Sequence, residues 1–204
     1  MSDKSGNSRK RDGSLKTALV DAGVELLGKR GADGLSLREC AAMAGVSHAA
    51  PGYHFKNLMG LSTAIAARGY RLFAEAMTKR LEAAESSDMD RLAAICHGYM
   101  DYASAHPDLF LFIFSGQKFN EEDEDFCQHA AHAYEILRYT CAPMVPPGTD
   151  REEIEVLVWS LVHGYAQLSM TRKKDNPKLD RSWPEFDQVF RHLERALSLD
   201  VTRD

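Results

Sequence analysis

The chain has 204 residues, 44% of them hydrophobic and 27% charged, an ordinary composition for a folded protein of one or two domains. No apolar run approaches the ~18 residues needed to span a bilayer, and the richest, Leu109–Phe114, is far shorter, so no membrane partner is expected. The net charge of −5 is uneven: residues 1–60 carry nine Lys/Arg against six Asp/Glu, and residues 61–204 carry sixteen against twenty-four. Only the N-terminal third is therefore suited to approach phosphates, and the acidic remainder should point away from them.

The first residues carry charge with no apolar core behind it, so a signal peptide is not expected and the expected localisation is cytoplasmic. Cys40, Cys96, Cys127 and Cys141 are irregularly spaced and read as free thiols in a reducing compartment.

The hydrophobic pattern is helical throughout, which predicts an all-α fold. Residues 1–13 are polar and read as a flexible basic arm. Arg9, Lys10 and Arg11 suit either a minor-groove contact or a solvated tail. The first helix is expected from Ser14 to Arg30, with Leu15, Leu19, Ala22 and Leu26 on one stripe. Ser36 and Glu39 form a capping-box pattern that opens a second helix running to about Ala44. Gly45 breaks it, and Ser47 is the expected cap of a short third helix, His48 to Phe55. Asn57 caps a long fourth helix bearing Leu58, Leu61, Ile65, Leu72 and Ala76.

A fifth helix follows Asp88, with Leu92, Ile95, Tyr99 and Tyr102 inward, and ends at His106-Pro107. A short helix from Asp108 to Ser115, an acidic loop at 116–125 and a helix from Glu124 to Cys141 come next. After a proline-rich linker, Asp150-Arg151-Glu152-Glu153 opens a helix carrying Ile154, Leu157, Val158, Leu161, Tyr165 and Leu168. Ser182-Trp183-Pro184-Glu185 opens the last helix, with Phe186, Val189, Phe190, Leu193 and Leu197 on one stripe.

Leu37–Ala44, Gly45-Val46-Ser47 and His48–Phe55 together make a candidate helix-turn-helix. In such a motif the first helix braces against the DNA backbone and the second enters the major groove. Leu37, Ala41 and Val46 would face the small core. Arg38, Ser47, His48, Tyr53, His54 and Lys56 are left to meet DNA, with Ser36, Tyr53 and Lys56 as phosphate anchors. By spacing alone a tight helical corner without DNA function stays open.

The stretch Ala18–Leu61 resembles the DNA-binding region of the TetR family of bacterial regulators. The matching residues are Ala22, Leu26, Gly31, Leu37-Arg38-Glu39-Cys40-Ala41-Ala42-Met43-Ala44-Gly45-Val46-Ser47, His48-Ala49-Ala50-Pro51, His54-Phe55 and Leu61. Far along the chain, Trp159-Ser160-Leu161-Val162-His163-Gly164 is similar to the Trp-x-x-x-His-Gly signature of a C-terminal regulatory domain in one branch of that family. Two departures stand out. Gly52 occupies the place of the family's phosphate-touching aromatic, with Tyr53 one residue later, and Leu58 replaces a usual lysine near Lys56. Pro51 and Gly52 are also expected to weaken the third helix.

The resemblance implies an organisation of arm 1–13, helix-turn-helix domain 14–57 and ligand-sensing and dimerisation domain 58–204. It implies a sequence-specific transcriptional regulator, a repressor released from a palindromic operator by a small molecule. Its partners would be double-stranded DNA, a second copy and an effector. Ala49 and Ala50 join the DNA-facing set by the same resemblance. The final helices would form the dimer interface through Phe186, Val189, Phe190, Leu193 and Leu197. Tyr99, Phe110, Phe114, Tyr134, Trp159 and His163 could line an effector pocket, with His163 as the polar handle, or could equally be core. His163-Gly164 could instead be a packing device. The alternative function is a DNA-binding structural or division-linked protein of the same fold with no effector.

Cys127, His129 and His132 are the one group near metal-ligand spacing, and an exposed polar face is the expected reading, with no metal and no cofactor. No P-loop, dinucleotide glycine fingerprint, G-x-S-x-G or H-E-x-x-H motif occurs, so no enzyme is expected.

Overall fold

A computed structural model of the chain describes residues 5–171 and 183–201, with side chains from 13 to 171 and from 183 to 198. Among the described residues every regular element is helical, as the periodicity predicts. The helices are α1 (Ser5–Arg30), α2 (Leu37–Met43), α3 (Ala50–Phe55), α4 (Leu58–Glu82), α5 (Asp88–Ala105), α6 (Pro107–Ile113), α7 (Glu124–Cys141), α8 (Arg151–Thr171) and α9 (Phe186–Val201). They pack into two compact units. One is the chain up to Leu72 with His106–Ala131, and the other is Phe73–Ala105 with the described chain from His132 on. The divide falls within α4, C-terminal to the Asn57/Leu58 boundary expected from the pattern.

In the first unit α1 begins at Ser5 rather than near Ser14, so the expected flexible arm has helical backbone from Ser5 onward. Arg9, Lys10 and Arg11 are good helix formers, and a helix nucleated on a packed C-terminal half propagates back through them at little cost. Residues 1–4, and the side chains of Arg9, Lys10 and Arg11, lie outside the described residues. Leu19, Ala22 and Leu26 are buried as their spacing requires and Leu15 is half-buried; Leu61 and Ile65 of α4 and Cys40 and Ala41 of α2 are buried too, with Ile65 and Cys40 closing on Gly23 of α1. An unbroken run of aromatic pairs ties the rest of the unit together: Phe110–Phe114 at 5.1 Å, Phe114–Tyr70 at 6.2 Å, Tyr70–Phe126 at 5.8 Å, Phe126–Phe119 at 5.4 Å and Phe119–Phe112 at 5.4 Å. Edge-on and tilted aromatic pairs of this kind add to the area they bury. Phe119 and the bond from Asn120 N–H to Thr63 Oγ1 (2.9 Å) pin the acidic loop that the composition left structureless.

In the second unit Leu92, Ile95, Tyr99 and Tyr102 of α5 are buried, with the Phe73 ring of α4 edge-on to Tyr99 at 4.8 Å and tilted against Tyr102 at 5.2 Å. Gly98 lets α5 approach α4 backbone to backbone. A Cβ there would lie 2.5 Å from Met77 Cα and 2.7 Å from Ala76 O. Helix α8 turns two different faces outward and inward. Ile154, Glu155, Val158, Val162 and Ala166 are buried, while Leu157 (44%) and Leu168 (56%), which the pattern had grouped with them, are exposed. Helix α9 opens with Glu185 N–H bonded to Gln188 Oε1 at 2.9 Å, and the expected start at Ser182 lies outside the described residues.

Candidate nucleic-acid interface

Helices α2 and α3 make the corner that their spacing predicts, with two local corrections. Ser36 Oγ accepts from Glu39 N–H at 3.2 Å and so caps α2, but the Glu39 carboxylate turns to the Arg30 guanidinium instead of closing the capping box. Gly45 sits at φ 66, a conformation that L-residues resist, and this reverses the chain between the two helices. The second correction concerns Ser47, which is not the cap of α3. The helix starts at Ala50 behind Ala49, and Ser47 only accepts Ala50 N–H through its carbonyl at 3.0 Å. The reason is Pro51: it fits the first turn, where a helix has no use for the missing N–H. Its expected cost to the helix interior is therefore not incurred, and Pro51 is buried.

The DNA-facing candidates gather on one short stretch of chain. Arg38, Ser47, His48, Ala49 and Lys56 are exposed, Ser36, Ala50 and His54 are half-buried, and Tyr53 is 81% exposed with its ring edge-on to His54 at 5.3 Å. An aromatic side chain left so open is normally sunk or shielded, and here it stands beside exposed Lys56. Of the three residues expected in the small core, Ala41 is buried, and Leu37 and Val46 are half-buried.

The exit from α3 was not visible in the sequence. Lys56 has φ 64 and ψ −51, and Asn57 N–H bonds back to Phe55 O at 2.7 Å, a strained three-residue turn. Asn57 then caps α4 as expected, its Oδ1 accepting Gly60 N–H at 3.0 Å. At Gly60 an added Cβ would lie 2.1 Å from Phe55 O, so α3 and α4 meet at a junction that only glycine permits.

The chain matches two family profiles. One, described as bacterial regulatory proteins of the tetR family, covers residues 19–61. The other, described as a tetracyclin repressor-like C-terminal domain, covers residues 92–193, half of the chain. The chain belongs to the TetR family of transcriptional regulators.

Solved structures with the same fold include a protein of unknown function from Rhodococcus sp. RHA1, at 26% identity and TM-score 0.72, covering 90% of this chain and 93% of that one. They also include the transcriptional regulator FadR from Bacillus subtilis in complex with stearoyl-CoA, at 15% identity and TM-score 0.67, covering 89% and 97%. The multidrug binding protein EbrR complexed with imidazole aligns at 21% identity and TM-score 0.61, covering 93% and 98%. A comparison with curated proteins found no match.

In this TetR-family chain the six effector candidates do not form one set. Phe110 and Phe114 belong to the aromatic core of the first unit, where Phe110 is fully buried. The other four lie in the second unit as two pairs. Tyr99 Oη and His163 Nδ1 are 2.7 Å apart, joining α5 to α8, and Tyr134 and Trp159 rings lie 6.2 Å apart, both side chains more than a third exposed. Beside the second pair, Tyr134 O–H donates to Glu155 Oε2 at 2.6 Å, which raises the tyrosine's pKa. Glu155 is 1% exposed, and its other oxygen lies 3.0 Å from Arg151 Nε, an ion pair without hydrogen-bond alignment. Pattern reading missed this buried carboxylate, because Glu155 falls among the acidic residues that begin α8.

Burial holds the His163 pKa below its usual 6.5. The folded chain thus resists a proton that the unfolded chain accepts as pH falls below that value, so His163 contributes stability above about 6.5 that is lost on acidification. Melting temperature should accordingly fall less for His163→Gln than for the wild type between about pH 7.5 and 5.5; equal slopes would show that the imidazole is not coupled to folding.

The α9 stripe is already covered within its own chain. Phe186, Phe190, Leu193 and Leu197 are between 3% and 7% exposed and Val189 is half-buried, with Phe186 packed on Tyr165 and His97. This corrects the expectation that these side chains face a second copy. An amphipathic helix on a monomer's own core shows the same stripe as one in an interface.

No group of three or more metal-ligating side chains forms among the described residues. His129 Nε2 lies 3.5 Å from Asp125, and the Cys127 thiol donates to Glu121 O at 3.0 Å. Cys40, Cys96 and Cys141 are buried and Cys127 is exposed. Burial, then the neighbouring Glu155 charge, pushes the Cys141 thiol up to about 12, and burial raises Cys96 and Cys40 as well. Thiols so held are poor nucleophiles. Titration with a chromogenic disulfide should release one equivalent quickly from the native protein and three more only on denaturation, and Cys127→Ser should abolish the fast phase.

Among the described residues no helix is long and apolar enough to cross a membrane.

Proposed function

We propose that the chain represses transcription by holding a palindromic operator as a homodimer and is released by a small-molecule effector. In this reading residues 14–57 read DNA and residues 58–204 sense and dimerise, in the branch marked by Trp159, His163 and Gly164. The observation that carries the DNA half is the exposed set Arg38, Ser47, His48, Tyr53 and Lys56 around a six-residue α3. A helix this short gains specificity when a twofold mate reads a second half-site one turn of DNA away.

The face suited to that mate is the outer side of α8. Leu157, Leu161, Gly164 and Leu168 follow helical spacing along one face, on which Leu157 (44%) and Leu168 (56%) are exposed. Among the described residues nothing lies within 4 Å of a Cβ added at Gly164, which leaves room there for a helix of a second copy. The stearoyl-CoA and imidazole held by two neighbours of this fold support a sensing role for the second unit. There Tyr99, His163, Tyr134 and Trp159 offer apolar surface with a polar handle. Coupling requires that the effector bind the DNA-incompetent state more tightly.

The test is binding of the protein to its own upstream intergenic duplex and to a scrambled duplex, titrated with salt. Specific binding that weakens steeply with salt is expected. Lys56→Ala should lower the slope of log affinity against log salt by about one. Equal weak binding to both duplexes would end the self-operator reading, and a chain that sediments as a monomer would end the α8 interface.

A further inference from the structure

The first unit holds a second concave site that DNA reading does not use. An open cleft of about 330 Å³ is lined by Lys16 of α1, Ala64, Arg68 and Arg71 of α4, and Asp125 and His129 of α7. That volume is at the lower end for small-molecule sites. Three permanent cations face two nearby carboxylates: Asp21 pairs with Arg68 through Nη1, and Asp125 lies 3.5 Å from His129. Arg68 lines the cleft with its side chain 31% exposed, although its Nε is itself buried.

We propose that this cleft binds the phosphate end of a small metabolite. The basic groups stand on three walls, supplied by three different helices. A tetrahedral oxyanion can present oxygens to all three, whereas a planar carboxylate can satisfy one fork. Arg68 supplies the guanidinium edge left beside its Nη1 pair with Asp21, Lys16 a movable point charge, and His129 a ring nitrogen. Arg68 lies ten residues into α4, about 15 Å along the helix from the α3 junction. A concave site that far along α4 suits a small molecule better than the DNA backbone.

The experiment is calorimetric titration of the full-length protein with inorganic phosphate, pyrophosphate and a nucleoside diphosphate at constant ionic strength set with chloride, repeated on Lys16→Ala and Arg68→Lys. Saturable binding of at least one phosphate probe is expected, weakened about tenfold or more in each variant. Free phosphate binding as tightly as the nucleotide would assign the site to the inorganic ion, and tighter nucleotide binding to a phosphorylated metabolite. Both outcomes support an oxyanion site, and only the second supports the metabolite. Arg68→Lys retains the charge and can keep the Asp21 pair, so its loss of binding reports the guanidinium edge and not misfolding. Unchanged affinity in both variants, or no saturable binding, overturns the proposal. So does a Lys16→Ala salt slope on duplex DNA that drops by about one, since Lys16 would then be a backbone contact.

Discussion

Gly60→Ala is expected to weaken DNA binding about 100-fold while leaving most of the helix content intact. The added methyl would sit 2.1 Å from Phe55 O, which belongs to the backbone and has no flexible side chain to yield. An ordinary contact needs more than an ångström of extra room, so either the first turn of α4 or the C-terminal end of α3 must move. Both are tightly constrained. Asn57 Oδ1 holds Gly60 N–H at 3.0 Å, and Lys56 is already in a strained turn at φ 64. Overpacking of this kind costs about 1–3 kcal/mol of stability. Base contacts are worth about 1–3 kcal/mol each, so a shifted recognition helix that loses two of them loses about 100-fold in affinity. Circular dichroism and anisotropy on the same preparation separate the effects. Binding and melting like the wild type would show that the α3–α4 junction is looser than its geometry indicates.

Gly98→Ala is expected to lower stability by about 3 kcal/mol, about 6–12 °C in melting temperature for a chain of this size. Its Cβ would meet Met77 Cα at 2.5 Å, Ala76 O at 2.7 Å and Met77 N at 2.9 Å, all backbone atoms of α4. Separating the two helices to make room would loosen Phe73 from Tyr99 and Tyr102, which form the centre of that core. Gly164→Ala is the control. It also lies within a helix but has nothing within 4 Å, so alanine should stabilise the single chain by about 1 kcal/mol through helix propensity alone. If Gly164→Ala instead weakens self-association, the glycine serves a neighbouring molecule, as the α8 interface requires. Equal effects at the two positions would mean that α4 and α5 do not touch at Gly98.

The all-helical class, the end of α1 at Arg30, the caps at Ser36 and Asn57, the break at Gly45 and the limits of α7 were legible in the amino-acid sequence. These depend on groups within a few residues of one another, where periodicity, capping and glycine act directly. The exposure of Arg38, Ser47, His48, Ala49, Tyr53 and Lys56 was legible for the same reason, since α2 and α3 are sequence neighbours.

What could not be read were matters of which surface meets which. The same i, i+4 stripe describes α9 folded onto its own core and α9 paired with a second copy; only burial of Phe186, Phe190, Leu193 and Leu197 separates them. One face of α8 looked continuous until packing buried Val158 and left Leu157 and Leu168 outside. Phe110 and Phe114 resembled Tyr99 and Trp159 as pocket candidates and proved to belong to a different unit. The cleft of Lys16, Arg68 and His129 draws on residues more than fifty positions apart, and the close approaches at Gly60 and Gly98 depend on the backbone of another helix. Local sequence determines where a helix starts, stops and turns its apolar side. Which partner covers that side is decided by the packing of the whole chain, because the hydrophobic effect rewards buried area without regard to its source.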